Sequence, residues 1–205
     1  MGRPELAGFA IALLLAAVGG ARAAQTCGHF PSPGFDAPDM PRFEKHYANA
    51  QYLYSVDLPP GLVAHGPADP APGHGVGIVL SWEPRAYLNV DGTYDAIEWK
   101  TSRAAAKQLL AWKRAESTAV LAQKQSTARL GPLHAVRLVV RHRCAKLPDV
   151  YVDDDVVAID AKQGIVYQVS LTTTEPRYAR DKALMDAMLA SWRMLKDGGL
   201  GLSGR

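Results

Sequence analysis

The chain has 205 residues, 48% of them hydrophobic, 21% charged and 8% aromatic, with a formal charge of +3 at pH 7. This is the composition of a folding sequence, not of a disordered or collagen-like one, and so small a charge makes no electrostatic case for nucleic acid as a partner. With a 23-residue leader set aside, 182 residues remain and the charge falls to +2, enough chain for one domain that buries on the order of 70% of its unfolded surface.

The leader is the first expectation. Arg3 and the amino terminus are followed by an apolar run from Leu6 to Val18, then Ala21-Arg22-Ala23, the three regions of a secretory signal peptide cleaved near Ala23. A bilayer span needs about 20 apolar residues. The leader falls short of that and no later stretch supplies it, so the sequence predicts an exported, periplasmic protein with no membrane span in its mature form. Cys27 and Cys144 are the only cysteines. Gln25-Thr26 separate Cys27 from the cleavage site, which argues against lipidation, and neither cysteine lies in a C-x-x-C pair. In an oxidising compartment an even count is read as paired, so a Cys27–Cys144 disulfide is predicted, tying down an irregular arm over 24–48 that carries "GHFPSPGFDAPDMPR".

The predicted domain spans 49–196, with a disordered tail over 197–205. It opens on "ANAQYLYSVDLPPG", where Ala50, Tyr52, Tyr54, Val56 and Leu58 alternate with Gln51, Ser55 and Asp57. That period-two pattern is a half-buried strand, with Leu53 out of phase. A Pro/Gly loop follows, holding His65, Asp69 and His74; their spacing matches no zinc pattern. "VGIVLSW" and "AYLNV" read as strands on either side of Glu83-Pro84-Arg85, and Asp91-Gly92 as a turn. Asp95 and Glu98 then fit a capping box opening a helix over about 96–116, with Ile97, Thr101, Ala105, Leu109 and Trp112 inward and Lys100, Arg103, Lys107 and Arg114 outward.

Beyond it, "TAVLAQKQSTARL" and "HAVRLVVRHRC" form one predicted hairpin through Gly131-Pro132. "VYVDDDVVAID" and "GIVYQVSLTTT" form a second, with Ile165, Tyr167, Val169 and Leu171 on one face and Gln168, Ser170 and Thr172 on the other. Thr174 and Pro176 suit the start of a last helix over about 175–195, striped by Tyr178, Met185, Met188, Trp192 and Leu195. Two amphipathic helices and a largely antiparallel sheet each have one apolar side to hide, which gives an α+β layered architecture.

The strand ending in "VDLPPG", the central helix, the paired long strands and "GIVYQVSLTTT" leading into "MLASWRML" make the stretch from Ala50 to Leu195 resemble the PsbP-like superfamily, the α/β/α sandwich of lumenal photosystem accessory subunits and several bacterial exported proteins. The resemblance implies a fold used mainly for binding. It maps no functional residue onto this chain.

Among candidate sites, Asp153, Asp154 and Asp155 are the sharpest charge feature. Three acids suit calcium's oxygen preference, yet the alternating acids, Gly and Glu of a calcium loop are missing; cross-strand pairing with Arg141 is the preferred reading. Asn89, Asp91, Asp95 and Glu98 read as turn and cap residues. His142 reads as a partly buried structural histidine, and Trp82, Trp99, Trp112 and Trp192 as core, any exposed one being a hot-spot candidate.

No nucleophile elbow, zinc-protease helix, phosphate loop or dinucleotide fingerprint occurs. The reading therefore leans away from an enzyme. It predicts no catalytic residue, no cofactor and no resident metal, and an exported binding protein that meets a protein of the cell envelope through Lys100, Arg103, Lys107 and Arg114, as an immunity or inhibitor protein would. The alternatives are a metal-assisted hydrolase built on Asp153, Asp154 and Asp155 with a histidine, and a carrier with an apolar cavity for a small ligand or lipid.

Overall fold

The structure, a computed structural model, describes residues 40–66, 74–95, 97–145 and 147–196. The leader, Cys27, Asp69 and the tail lie outside the described residues. In chain order the strands are β1 (Arg42–Glu44), β2 (His46–Asn49), β3 (Tyr54–Asp57), β4 (Val63–His65), β5 (Gly75–Trp82) and β6 (Arg85–Tyr94). Helix α1 (Ser102–Glu116) leads to β7 (Ala119–Leu130), β8 (Leu133–Arg143), β9 (Val150–Asp160) and β10 (Ile165–Thr174). A 3-10 turn, α2 (Tyr178–Ser191) and β11 (Arg193–Met194) follow.

Eight strands form one antiparallel sheet in the order β1-β4-β5-β6-β10-β9-β8-β7, and β11, β3 and β2 form a second. The predicted α+β sandwich is the fold observed. Alternation along β10 sorts it: Ile165, Tyr167, Val169 and Leu171 enter the larger core with Leu88, Val90, Val156 and Ala158 of its neighbours. Met185, Met188, Trp192 and the tyrosines of β2 and β3 cover that face. Trp192 stacks on Tyr54 with centroids 4.6 Å apart and meets Tyr167 edge-on. On the other face Ala105, Ala106 and Leu109 of α1 pack on Leu138, Val140, Val157 and Val166.

Several boundaries differ from the sequence reading. Asp91-Gly92 is not a turn but lies inside β6. Gly92 is required there because a Cβ would stand 2.8 Å from Tyr54 Cε1 and 3.2 Å from Tyr167 Cδ1. With β6 running on to Tyr94, α1 starts at Ser102, not near 96, and its cap is Thr101, whose Oγ1 accepts from the Ala104 N–H at 3.1 Å. Glu98 sits at positive φ before the helix, so the Asp95–Glu98 capping box does not form. Leu53, the out-of-phase residue, has φ of 56° and turns the chain between β2 and β3. The predicted single strand is thus broken, and β1 and β2 draw residues of the expected arm into the sheets. The last helix stops at Ser191; Trp192 is core, while Arg193 and Met194 return as β11 against β3. Trp82 and Trp112 are 42% and 41% exposed, not core.

Candidate functional site

The three acids of β9 alternate as a strand requires, so Asp154 lies on one face of the sheet and Asp153 and Asp155 on the other. All three are buried. Asp154 faces α2: Arg137 donates to both its oxygens, Nε to Oδ1 and Nη2 to Oδ2, each at 2.7 Å, and the Tyr178 hydroxyl donates to Oδ2 at 2.8 Å. Arg137 Nη1 reaches on to Asp186 Oδ1 at 2.8 Å, and Asp186 also takes Lys182. The guanidinium fork suits two carboxylates at once, which anchors α2 to the sheet. Nearby, buried Asp181 accepts from Thr173 Oγ1 at 2.6 Å and from Arg177 Nε at 3.1 Å.

Asp153 and Asp155 face α1 instead. Lys113 Nζ is 2.9 Å from Asp153 Oδ2 and 3.4 Å from Asp155 Oδ2. Asp153 also has His142 Nε2 at 2.9 Å and accepts from Thr172 Oγ1 at 2.7 Å. Burial disfavours its charge, but Lys113 and His142 outweigh burial and hold its carboxyl well below the ordinary range. Asp155 has the opposite outcome. Burial raises it, Lys113 offsets that in part, and the charge on Asp153 pushes it up again. Lys113 resists burial because the two carboxylates keep its ammonium above its usual value.

The expected Arg141–Asp153 pair is not made. In register Asp153 lies opposite Val140, and Arg141 turns to the α2 face, where its Nε donates to Glu175 at 2.9 Å. The cross-strand arginine is Arg137, two positions along from the residue opposite Asp154. His142 is 2% exposed, with Nδ1 3.0 Å from Ser117 Oγ and 3.7 Å from Cys144 Sγ. Cys144 is buried.

Because α1 lies over β8 and β9, the same sheet face is uncovered beside it on β10 and β6. A cavity of about 400 Å³ opens there, floored by Tyr87, Asn89 and Asp91 of β6, Gln168, Ser170 and Thr172 of β10 and Asp155 of β9, and walled by Leu109, Trp112, Lys113 and Glu116. Sequence reading missed it. Gln168, Ser170 and Thr172 look like an outward face when β10 is read alone, and only the offset of α1 makes them a floor. The lining mixes apolar surface with the charged side chains of Asp91, Lys113, Glu116 and Asp155, unlike the wholly apolar cavity expected of a lipid carrier.

At the other end of α1, Arg103 and Lys107 stand with Thr101, Gln125, Ser126, Thr127 and Val136 around an open groove of about 760 Å³. Strand β7 forms one wall. Among the described residues it pairs with β8 alone and is the sheet's edge; along its twelve residues only Leu130 is buried, and Leu121 is 51% exposed. All four predicted cationic residues are exposed, but they do not act as one stripe: Lys100 precedes the helix, and Arg114 donates to Gln123 of β7 at 2.8 Å.

No family model matches the sequence and no curated protein matches it. Solved structures do. Cyanobacterial PsbP (CyanoP) from Synechocystis sp. PCC 6803 is 16% identical, with 82% of this chain and 99% of that one covered at a TM-score of 0.50. The Ran-binding protein Mog1p of Saccharomyces cerevisiae is 11% identical over 77% of this chain and 97% of its own, also at 0.50. These likenesses show the PsbP-like fold.

Proposed function

We propose that this chain is an exported, non-catalytic binding protein that receives an acidic, extended segment of a cell-envelope protein on the β7 edge beside Arg103 and Lys107. The observation that carries the reading is β7: a long strand at the edge of the sheet, with no neighbour on its outer side among the described residues and a single charge, Lys124, between Ala119 and Ala128. Long, weakly charged edges are where another strand adds. Two exposed cations at the lip of the adjoining groove give such a strand a preferred charge and speed its encounter. The likeness to a protein described as Ran-binding supports a contact role for this fold, by analogy only. An immunity or inhibitor protein would act in this way, blocking an envelope enzyme or toxic effector. Of the acids in the hydrolase reading, Asp154 faces away from Asp153 and Asp155, and Lys113 is ion-paired with both of those.

The test is affinity for a partner recovered from envelope extract. The Arg103→Glu/Lys107→Glu double variant is expected to lose about tenfold or more, equivalent to about 1.4 kcal/mol, with binding falling as salt rises. Recovery of no partner across a range of salt, or affinity indifferent to both the substitutions and salt, overturns the proposal.

A further inference from the structure

Helix α1 lies along the edge of the sheet and runs against β7. Near its start, Ser102 Oγ donates to the carbonyl of His134, the residue paired with Arg129. Near its end, Arg114 Nη2 donates to Gln123 Oε1 at 2.8 Å, and just beyond it the Thr118 N–H donates to the carbonyl of Arg143, which pairs with Ala119. The twelve steps from Ser102 to Arg114 rise about 18 Å at 1.5 Å each. The six steps from Arg129 to Gln123 span about 20 Å at 3.3 Å each. Two residues of the helix therefore keep pace with one residue of the strand.

Arg103 and Lys107 are four residues apart, so they share one side of α1 at about 6 Å along its axis. Both are exposed, and among the described residues neither takes part in an ion pair. None of the described residues lining their groove is an acid, and β7 itself carries Lys124 and Arg129 with no carboxylate. A strand added outside β7 presents alternate side chains to the helix side. Its residues i and i+2 are about 6.6 Å apart on one face, which matches the two cations. Residues i and i+1, or i and i+3, point to opposite faces, and i and i+4 are about 13 Å apart. The phase on β7 is set as well: Gln123 meets Arg114 and Gln125 and Thr127 line the groove, whereas Ala128, in phase with Lys124, packs on the core of the other face.

Resting on the docking at β7, we propose that the partner's segment is an extended strand with two carboxylates at alternate positions, acid-x-acid, laid beside Gln125 and Thr127. One carboxylate meets Lys107 and the other meets Arg103, whose guanidinium can take it with two N–H groups at once. The intervening residue turns to the face of Lys124 and Ala128. Acids on successive residues place only one of the pair on the helix side, so spacing and not only charge selects the partner.

The probes are dye-labelled heptapeptides blocked at both ends, titrated onto the full protein by fluorescence anisotropy and by amide NMR. Thr-Val-Glu-Val-Glu-Val-Thr carries the alternate spacing. Its isomers Thr-Val-Glu-Glu-Val-Val-Thr and Thr-Glu-Val-Val-Glu-Val-Thr keep composition and charge, and Thr-Val-Lys-Val-Lys-Val-Thr reverses the charge. The alternate peptide is expected to bind at least tenfold tighter than either isomer and to shift the amides of Gln125, Ser126 and Thr127, while the lysine peptide does not bind. Arg103→Gln or Lys107→Gln alone removes most of that advantage; both positions are exposed, so these variants report binding and not folding. Equal affinity of the three acidic peptides, lost in Arg103→Glu/Lys107→Glu, overturns the spacing and leaves the acidic docking standing. An advantage that persists in both glutamine variants also overturns it. Binding of no acidic peptide at millimolar concentration, or equal binding of the lysine peptide, overturns it and counts against the docking at β7 too.

Discussion

Three successive aspartates on β9 share a covalent neighbourhood and differ in everything else. Asp153 is charged with the help of Lys113 and His142; Asp155, two residues on along the same face, pays for its neighbour's charge with a raised carboxyl pKa. Asp153→Asn takes from Lys113 the nearer of its two carboxylates, and is expected to cost about 1–3 kcal/mol. Asp155→Asn removes the disfavoured charge while Lys113 keeps Asp153, so urea denaturation at pH 7 is expected to place it within about 1 kcal/mol of the parent, on the stabilised side. The pH dependence separates the two further. A lowered carboxyl contributes stability that is complete above its unfolded pKa, near ~3.9, and is lost as pH falls through the folded value. The deficit of Asp153→Asn therefore narrows below pH ~4. Asp155 has the opposite sign: its raised pKa means that acid first relieves it, so any gain of Asp155→Asn shrinks on acidification. A deficit for Asp153→Asn that stays constant down to acid unfolding contradicts the assignment. Gly92 tests packing at the same scale. With Tyr54, Tyr52 and Tyr167 all within 3.2 Å of an added Cβ, Gly92→Ala is expected to lose about 1–3 kcal/mol by overpacking, measured in the same denaturation series.

The elements show where local signals suffice and where they do not. The β7–β8 and β9–β10 hairpins were readable because alternation and the turns at Gly131-Pro132 and Gly164 agree, and both glycines adopt positive φ. The start of α1 was not, because Asp95 and Glu98 satisfy the capping pattern as well as Thr101 does. What decides is the sheet: β10 pairs with β6 up to Tyr94 opposite Ile165, so long-range hydrogen bonds hold the chain extended past the apparent cap. Denaturation distinguishes the two caps. Thr101→Ala is expected to cost about 1 kcal/mol, as loss of an N-cap does, whereas Asp95→Ala, which removes no cap, stays within about 0.5 kcal/mol. Equal losses would return the cap to Asp95. The candidate site was less readable than the hairpins, since it depends on which strands α1 leaves uncovered, and nothing in the periodicity of α1 says over which strands it will lie. Arg137 was hidden for a related reason: its partner is set by diagonal register across β8 and β9, and Arg141 had the same claim on a carboxylate from sequence alone.

At the scale of the whole molecule the sheet separates two jobs. One face is sealed by α2, the aromatic stack on Trp192 and the second sheet; the other is half covered by α1 and holds the cavity. At the end of the sheet where His142, Ser117 and Asp153 meet, Cys144 packs with Tyr151 and Leu147, so whatever fixes Cys144 also fixes the edge of the Lys113 cluster. The proposed bond from Cys144 to Cys27 would join this end to the arm expected over 24–48, and in the chain-entropy model a loop that long is worth about 4–5 kcal/mol as a ceiling. With typical disulfides at about 2–4 kcal/mol, and each 1 kcal/mol moving Tm by about 2–4 °C for a domain of 150–250 residues, reduction is expected to lower Tm by roughly 5–15 °C. Thiol titration of protein recovered from the periplasm gives the matching count: none before reduction, two after reduction and unfolding. Two thiols reactive in the unreduced folded protein, or a Tm indifferent to reductant, removes the bond and with it the argument that the chain matures in an oxidising compartment.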